Sequence, residues 1–263
     1  MRWLLPALAL LLASVAPAAA LDPLKAAGID RKPDASISMD TVFKDETGAS
    51  TTLRRLSSGK PLLLVPVQHE CPNICGITLA GLLQGVAQQD FVPGTDFSIV
   101  AFGIDPKETP RDAADSLGRL LKAFPAFPRG AIHALTGAAS DVAAVTGALG
   151  YRYAWDPELE QYDHVAAIAV LAPDGRLARW LYGVAPEPED IKLALTEAGD
   201  GETGPWTDQL LLLCYHYDPV TGRYSNIAWS ALRILAGLML AGGALYIARA
   251  VYRERRAAGG RPS

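Results

Sequence analysis

Leu62-Leu63-Leu64-Val65-Pro66-Val67-Gln68-His69-Glu70-Cys71-Pro72-Asn73-Ile74-Cys75-Gly76 is the stretch on which the reading of this chain turns. The aliphatic run Leu62 to Val65, set off by Gly59-Lys60-Pro61, predicts a short buried strand. The segment after the cysteines, Ile77-Thr78-Leu79-Ala80-Gly81-Leu82-Leu83, continues at helical spacing towards Val86. Cys71 therefore falls where a strand hands over to a helix, and Pro72 suits the first helical turn, where its missing N–H costs nothing. Two of the three cysteines in the chain stand here, four residues apart.

That spacing carries chemistry. Residues i and i+4 of a helix share a face, with Cβ atoms about 5–6 Å apart. The free N–H groups and positive dipole end of a helix start favour thiolate over thiol. Two thiolates on one face form a soft bidentate claw of the kind that selects Cu(I) or Zn(II). The pair can also close a disulfide, since helical i,i+4 Cα atoms lie about 6–7 Å apart, at the upper end of the permitted range. A metal claw, a redox dithiol, and a structural disulfide or pair of buried thiols all satisfy the spacing.

Working outward, Met1 to Ala20 reads as a signal peptide: Arg2 is the positive n-region, Leu4 to Val15 the apolar core, and Ala18-Ala19-Ala20 the cleavage site. At the other end Ile227 to Ala248 is long enough to span a bilayer, with Arg233 close enough to one end to snorkel. Arg249, Arg253, Arg255 and Arg256 follow it, so the positive-inside rule puts the tail, residues 249–263, in the cytoplasm. Leader and anchor agree on a domain in the periplasm, held to the bacterial inner membrane at its C-terminal end. In that oxidising space a free cysteine pair needs a metal or a partner reductase to stay reduced. Net charge is −4 and half the residues are hydrophobic, which gives no argument for a nucleic-acid partner.

Between leader and anchor, residues 21–36 read as a linker or N-terminal arm, 37–200 as one domain and 201–226 as a membrane-proximal segment. Val42-Phe43 and Thr51-Thr52-Leu53 flank a hairpin turn at Gly48. Phe97 to Ile104 is a strand ending at Asp105-Pro106. Arg111 to Phe124 is an amphipathic helix with Ala114, Leu117, Leu120 and Leu121 on one face. A short strand over Ala131 to Leu135 precedes a helix that Ser140 opens as N-cap and Gly150 stops. Val165 to Leu171 and Leu177 to Tyr182 form a hairpin around Pro173-Asp174-Gly175, followed by a helix over Glu187 to Glu197. Strands alternating with helices predict an α/β three-layer domain of thioredoxin-like arrangement, with extra β-hairpins and one C-terminal transmembrane helix.

Two thiolates on Cu(I) or Zn(II) ordinarily take a further nitrogen ligand. Of His69, His133, His164 and His216, His164 lies just before a strand edge that can reach the cysteine turn. His69 sits on the strand-end loop, and His133 inside a short apolar strand.

Cys71-Pro72-Asn73-Ile74-Cys75 after an apolar strand resembles the CPxxC signature of the Sco/SenC family. Gly103-Ile104-Asp105-Pro106-Lys107-Glu108-Thr109-Pro110 is similar to that family's Asp-Pro…Thr-Pro segment, and Leu135-Thr136-Gly137 to its Leu-Thr-Gly. Asp163-His164, the strand Val165 to Leu171 and Pro173 to Leu177 resemble its histidine strand and hairpin. The resemblance runs from about Ile37 to Leu195. It implies a thioredoxin-like domain binding copper, as Cu(I) or Cu(II), through Cys71, Cys75 and His164, with Asp105 supporting the metal loop. It also implies a role in assembling the binuclear copper site of cytochrome c oxidase subunit II or a similar copper acceptor. The other use of the same pair is thiol–disulfide reduction, with Cys71 and Cys75 as the redox couple that keeps the acceptor cysteines reduced. Nothing resembles the Thr-x-x-Cys of a peroxidase. Two features depart from the family pattern: Gly76 stands where a proline is usual, and the anchor is C-terminal rather than N-terminal.

Cys214 and His216 form the remaining constellation, two residues apart and so on one side of a strand. With Tyr215, Tyr217 and Asp218 beside them, they read either as an accessory copper site or as an aromatic belt with an unpaired thiol.

Overall fold

The structure is a computed structural model that describes residues 27–70, 75–199, 215–218, 223–226, 235–243, 245–247 and 249. The elements in chain order are β1 (Gly28–Ile29), β2 (Val42–Lys44), β3 (Ser50–Thr52), α1 (Leu53–Ser57), β4 (Leu62–Val67), α2 (Cys75–Val86), β5 (Ser98–Gly103) and α3 (Pro110–Ala123). They continue as β6 (Ile132–Leu135), α4 (Ala139–Leu149), β7 (Tyr151–Arg152), β8 (Ala154–Asp156), β9 (Gln161–Asp163), β10 (Ala167–Leu171), β11 (Leu177–Tyr182) and α5 (Pro188–Ala198), then β12 (Tyr215–Asp218) and β13 (Arg223–Asn226).

A five-stranded sheet in the order β11-β10-β4-β5-β6 forms the middle layer. β4, β5 and β6 run parallel, with Leu63 opposite Ile99 and Ile99 opposite Ile132. β10 is antiparallel to β4, and β11 to β10. All six residues of β4 and of β5 are buried, which explains why they read as continuous apolar runs rather than as alternations. Alternate side chains feed two cores. Leu63, Val65, Ile99, Ala101, Ile168 and Val170 pack with α2, α3 and α5 on one face. Leu62, Leu64, Val100, Phe102 and Ala169 pack on the other with α4 and with Phe43 and Leu53 of the β2–β3 region. This is the expected three-layer α/β arrangement.

Local chemistry fixes the ends of the helices. The Asp112 carboxylate accepts from both the backbone N–H and the hydroxyl of Thr109, and Pro110 opens α3. The buried stripe of α3 is Ala113, Leu117, Leu120 and Leu121, so Ala113 and not Ala114 faces the core. α4 is entered from Ala138, without a side-chain cap, and Ser140 lies inside its first turn. Gly150 ends α4 at φ +74°, where an added Cβ would meet the Asp30 carbonyl oxygen. The β2–β3 and β10–β11 hairpins form at the expected turns, with Gly48 and Gly175 both at positive φ.

Three features are additional to the sequence expectations. The arm, described from residue 27, is strapped to the domain: β1 pairs antiparallel with β7, and Leu177 N–H donates to the Ala35 carbonyl. A short helix, α1, takes over at Leu53, and Arg55 N–H is capped by the Thr52 hydroxyl. A small antiparallel ribbon, β8–β9, precedes His164. The helix of the cysteine stretch is described from Cys75, while 71–74 lie outside the described residues, as do the leader 1–20 and Cys214. Part of Ile227–Ala248 also falls outside them. Among the described residues no helix is long and apolar enough to cross a membrane. The helical backbone at 235–243 nevertheless exposes Leu235, Leu238, Met239 and Leu240.

Candidate functional site

The predicted site residues that the structure describes, the backbone of Cys75 with Asp105 and His164, lie at one end of the sheet. β4 runs into Gln68-His69-Glu70 and then the cysteine loop, and α2 starts again at Cys75. β5 ends at Gly103, two residues before Asp105. β10 enters the sheet at the same end, because it is antiparallel to β4: Ala169 lies opposite Leu64, and continuing that register sets His164 roughly level with His69. The ladder between the two strands stops at Leu64, two residues before Pro66, whose ring supplies no N–H. Past that point a side chain takes over, with the Gln68 amide oxygen accepting the Tyr162 N–H at 3.1 Å. The chain thereby brings His164 to the end of the sheet from which Gln68-His69-Glu70 leaves β4; Cys71 itself lies outside the described residues. Among the described residues no group of three His, Cys, Asp or Glu side chains is placed to hold a metal ion.

His164 is half-buried, and burial pushes its imidazole below the ordinary histidine value, which favours the neutral, ligating form. Its Nδ1 lies 3.0 Å from the Tyr151 hydroxyl. Asp105 is 7% exposed, and its carboxylate accepts the Lys107 N–H at 2.9 Å. Its charge also bears on the β8–β9 region, where it helps hold the Tyr153 and Tyr162 hydroxyls above the usual range, second to their own burial. Asp105 therefore acts on the aromatic ribbon from the end of β5, and the expected donor set of two thiols with one neutral imidazole suits a soft monovalent ion. His216 is placed on β12 opposite Ser225; its side chain and Cys214 are outside the described residues, so this pair stays an expectation.

Three further groups at this end were given no role at the site by the sequence. His69 is 2% exposed, its Nε2 donates to the Leu135 carbonyl at 3.0 Å, and its Nδ1 is buried without a hydrogen-bond partner among the described residues. Burial drives its pKa down as well. Gly103 makes room for it: a Cβ there would sit 2.7 Å from the Leu135 carbonyl oxygen and 3.1 Å from the His69 ring. Arg119 of α3 donates to the His69 carbonyl at 3.1 Å, so the root of the cysteine loop is held from two sides. A cavity of about 220 Å³ opens beside it, lined by His69, Gly76, Leu79, Ser116, Arg119 and Phe124.

Glu108 is the second. It accepts the Glu70 N–H at 2.9 Å through Oε1, and its Oε2 is buried without a hydrogen-bond partner among the described residues. Burial, assisted by the Asp105 charge, raises its carboxyl to about 7. The sequence offered a signal for it, its place between Asp105 and Pro110, but spacing alone did not show that it turns inward.

The third is an aromatic chain. Trp180 stacks on Tyr151 with centroids 5.7 Å apart, Tyr151 lies 6.2 Å from Tyr153, Tyr153 5.5 Å from Tyr162, and Tyr162 5.2 Å from Trp155. Lys107 covers the Trp155 ring at 5.2 Å, tying the Asp105 loop to the ribbon.

A family model for SCO1/SenC matches residues 30–198. Among solved structures, a protein of Aquifex aeolicus assigned to electron transfer is 23% identical over 65% of this chain and 96% of its own, with a TM-score of 0.56. A second Aquifex aeolicus protein, assigned to electron transport, is 23% identical over 64% of this chain and 99% of its own, with a TM-score of 0.53. ScoI of Arabidopsis thaliana, solved with copper bound, is 18% identical over 62% of this chain and 96% of its own, with a TM-score of 0.46. No curated protein matches the chain. The two Aquifex structures share its fold, and the family model spans more than half of its length with the cysteine stretch, Asp105 and His164 inside the match. This chain belongs to the SCO1/SenC family.

Proposed function

We propose that the chain is a membrane-anchored periplasmic copper carrier, holding one copper ion through Cys71, Cys75 and His164 and delivering it to an acceptor such as subunit II of cytochrome c oxidase. The observation that carries this reading is topological: antiparallel β10 delivers His164 to the end of β4 from which the cysteine loop leaves. Two thiolates and a neutral imidazole fill a three-coordinate site for Cu(I), and a site on a strand-end loop is open to ligand exchange with a docked acceptor. The copper-bound ScoI of Arabidopsis thaliana belongs with this reading. Asp105 supports the metal loop rather than the metal. Exposed Leu235, Leu238, Met239, Leu240, Leu245 and Ile247 on the C-terminal helical backbone suit a segment whose surroundings are lipid, and the preceding leader puts the domain outside the cytoplasm.

Anaerobic titration of the full chain in detergent, reduced, with Cu(I) against a competing chelator tests the site. The expected result is one tight equivalent in the wild type and affinity at least about 10-fold weaker in His164→Ala. A wild type that takes up no copper, or a variant that binds as well, removes the three-ligand site. Thiol–disulfide reduction by Cys71 and Cys75 then becomes the better account.

A further inference from the structure

Tyr151 stands at the back of His164. Gly150 ends α4 and turns the chain into β7, where Ile29 of the strapped arm pairs with Tyr151. The Tyr151 side chain is 3% exposed and its ring is fixed by the stacked indole of Trp180 at an interplanar angle of 20°. Its hydroxyl oxygen is thus placed by packing, 2.8 Å from the Val165 carbonyl oxygen and 3.0 Å from His164 Nδ1.

A phenol has one proton to give. The Val165 carbonyl carries none, and two oxygens 2.8 Å apart repel unless a hydrogen lies between them, so the phenolic proton points at Val165. The Tyr151 oxygen then offers only lone pairs to His164, and Nδ1 at 3.0 Å must bring the hydrogen itself. The Val165 carbonyl, which also lies near Nδ1, is at 3.4 Å and is the weaker acceptor. The opposite arrangement, with the phenol donating to Nδ1, leaves Tyr151 and Val165 in bare oxygen–oxygen contact. In a neutral imidazole, a hydrogen on Nδ1 leaves the lone pair on Nε2.

We propose that Tyr151 is a positioning residue that locks His164 in the Nδ1–H tautomer, so that Nε2 is the nitrogen presented to the copper held by Cys71 and Cys75. The tautomer follows from the hydrogen-bond geometry alone; its use for copper rests on the function proposed above. Tyr153, the next ring of the aromatic chain, has its hydroxyl directed to Thr146 instead of His164, and serves as a control.

The test is two-bond 1H–15N correlation spectroscopy on the full chain in detergent, 15N-labelled at histidine, reduced and metal-free at pH 8. Loss of one ring pattern in His164→Ala assigns His164. The expected wild-type pattern is a protonated Nδ1 and a bare Nε2. Tyr151→Phe keeps the ring and its stacking but spreads the proton over both nitrogens, and it lowers Cu(I) affinity about 10-fold. Tyr153→Phe leaves both properties as in the wild type. A wild-type ring protonated on Nε2, or a Tyr151→Phe spectrum matching the wild type, overturns the proposal. If Tyr151→Phe does not fold, the wild-type spectrum decides alone. Because the spectra are taken without metal, a chain that binds no copper refutes the copper reading and leaves the tautomer assignment standing or falling by itself.

Discussion

Glu108→Gln separates a carboxyl kept for its proton from one kept for its shape. Glutamine retains the oxygen that accepts the Glu70 N–H at 2.9 Å and cannot ionise. In the folded chain burial raises the Glu108 carboxyl from its ordinary 4.5 to about 7. Between those values the folded chain holds a proton that the unfolded chain has released, so raising the pH through this window favours unfolding. At roughly 1.4 kcal/mol per pH unit the full rise is worth about 3 kcal/mol, a ceiling because the residue is not fully shielded from water. Glutamine feels none of it. Its amide also puts an NH2 where Oε2 has no hydrogen-bond partner among the described residues, but that cost is the same at every pH.

Slopes, not absolute stabilities, therefore carry the test. Urea unfolding of wild type and Glu108→Gln at pH 5, 6, 7 and 8 should show the wild type losing about 2 kcal/mol relative to the variant across the range. With a urea dependence of about 2 kcal/mol per molar, that is a midpoint shift of about 1 M. Stability curves that stay parallel from pH 5 to pH 8 refute the reasoning, because a group that titrates alike in both states contributes no slope.

The buried imidazoles act in the opposite sense. His69 and His164 both lie below the ordinary 6.5, so the unfolded chain binds protons that the folded chain refuses as the pH falls below that value. Acid unfolding of His69→Gln should show a shallower loss of stability below pH 6.5 than the wild type, and an unchanged slope would count against a buried neutral His69. Gly103→Ala drives a methyl into the Leu135 carbonyl and the His69 ring and should cost about 1–3 kcal/mol in urea unfolding, whereas Gly118→Ala, with open space around it, should not destabilise. Leu82→Ala, at a fully buried position of α2, should cost about 2–5 kcal/mol by the same measure. Truncation after Asn226 should release the chain from membranes into alkaline carbonate, and a truncated chain still retained there would contradict the C-terminal anchor.

Residues that interact with near neighbours in sequence, or that follow a period, were legible in advance. The all-apolar runs of β4 and β5 announced buried strands, and Gly48, Gly150 and Gly175 announced their turns because positive φ leaves few other residues. The one-residue error on α3 is of the same origin: Ala113 and Ala114 are chemically identical, and only the neighbouring sheet decides which faces inward. What stayed hidden depends on partners far along the chain. Glu108 meets Glu70 thirty-eight residues away, and His69 meets Leu135 across sixty-six. The β8–β9 ribbon hid for a different reason. Its strands are three residues each and half-exposed, too short for alternation to show.

The contrast bears on how the site is built. The cysteine stretch is visible because thiols at a helix start are chemically conspicuous, yet the groups that would set its properties look ordinary in the sequence. The β10–β4 ladder stops at Leu64, just before Pro66, and Gln68 bridges the opening to Tyr162. Gly103 makes room for the His69 ring beside the Leu135 carbonyl, while Glu108 and Arg119 pin the backbone at Glu70 and His69. Tyr151 stands behind His164 with its backbone paired to the arm and its ring stacked on Trp180. None of these residues needs to touch the metal. On the proposed copper-carrier reading the chain must accept copper and still let it go, and support supplied from outside the ligands suits that task. If that division holds, substitutions at Tyr151, Gln68 and Glu108 should change copper affinity without changing its stoichiometry, and only Cys71, Cys75 and His164 should change both.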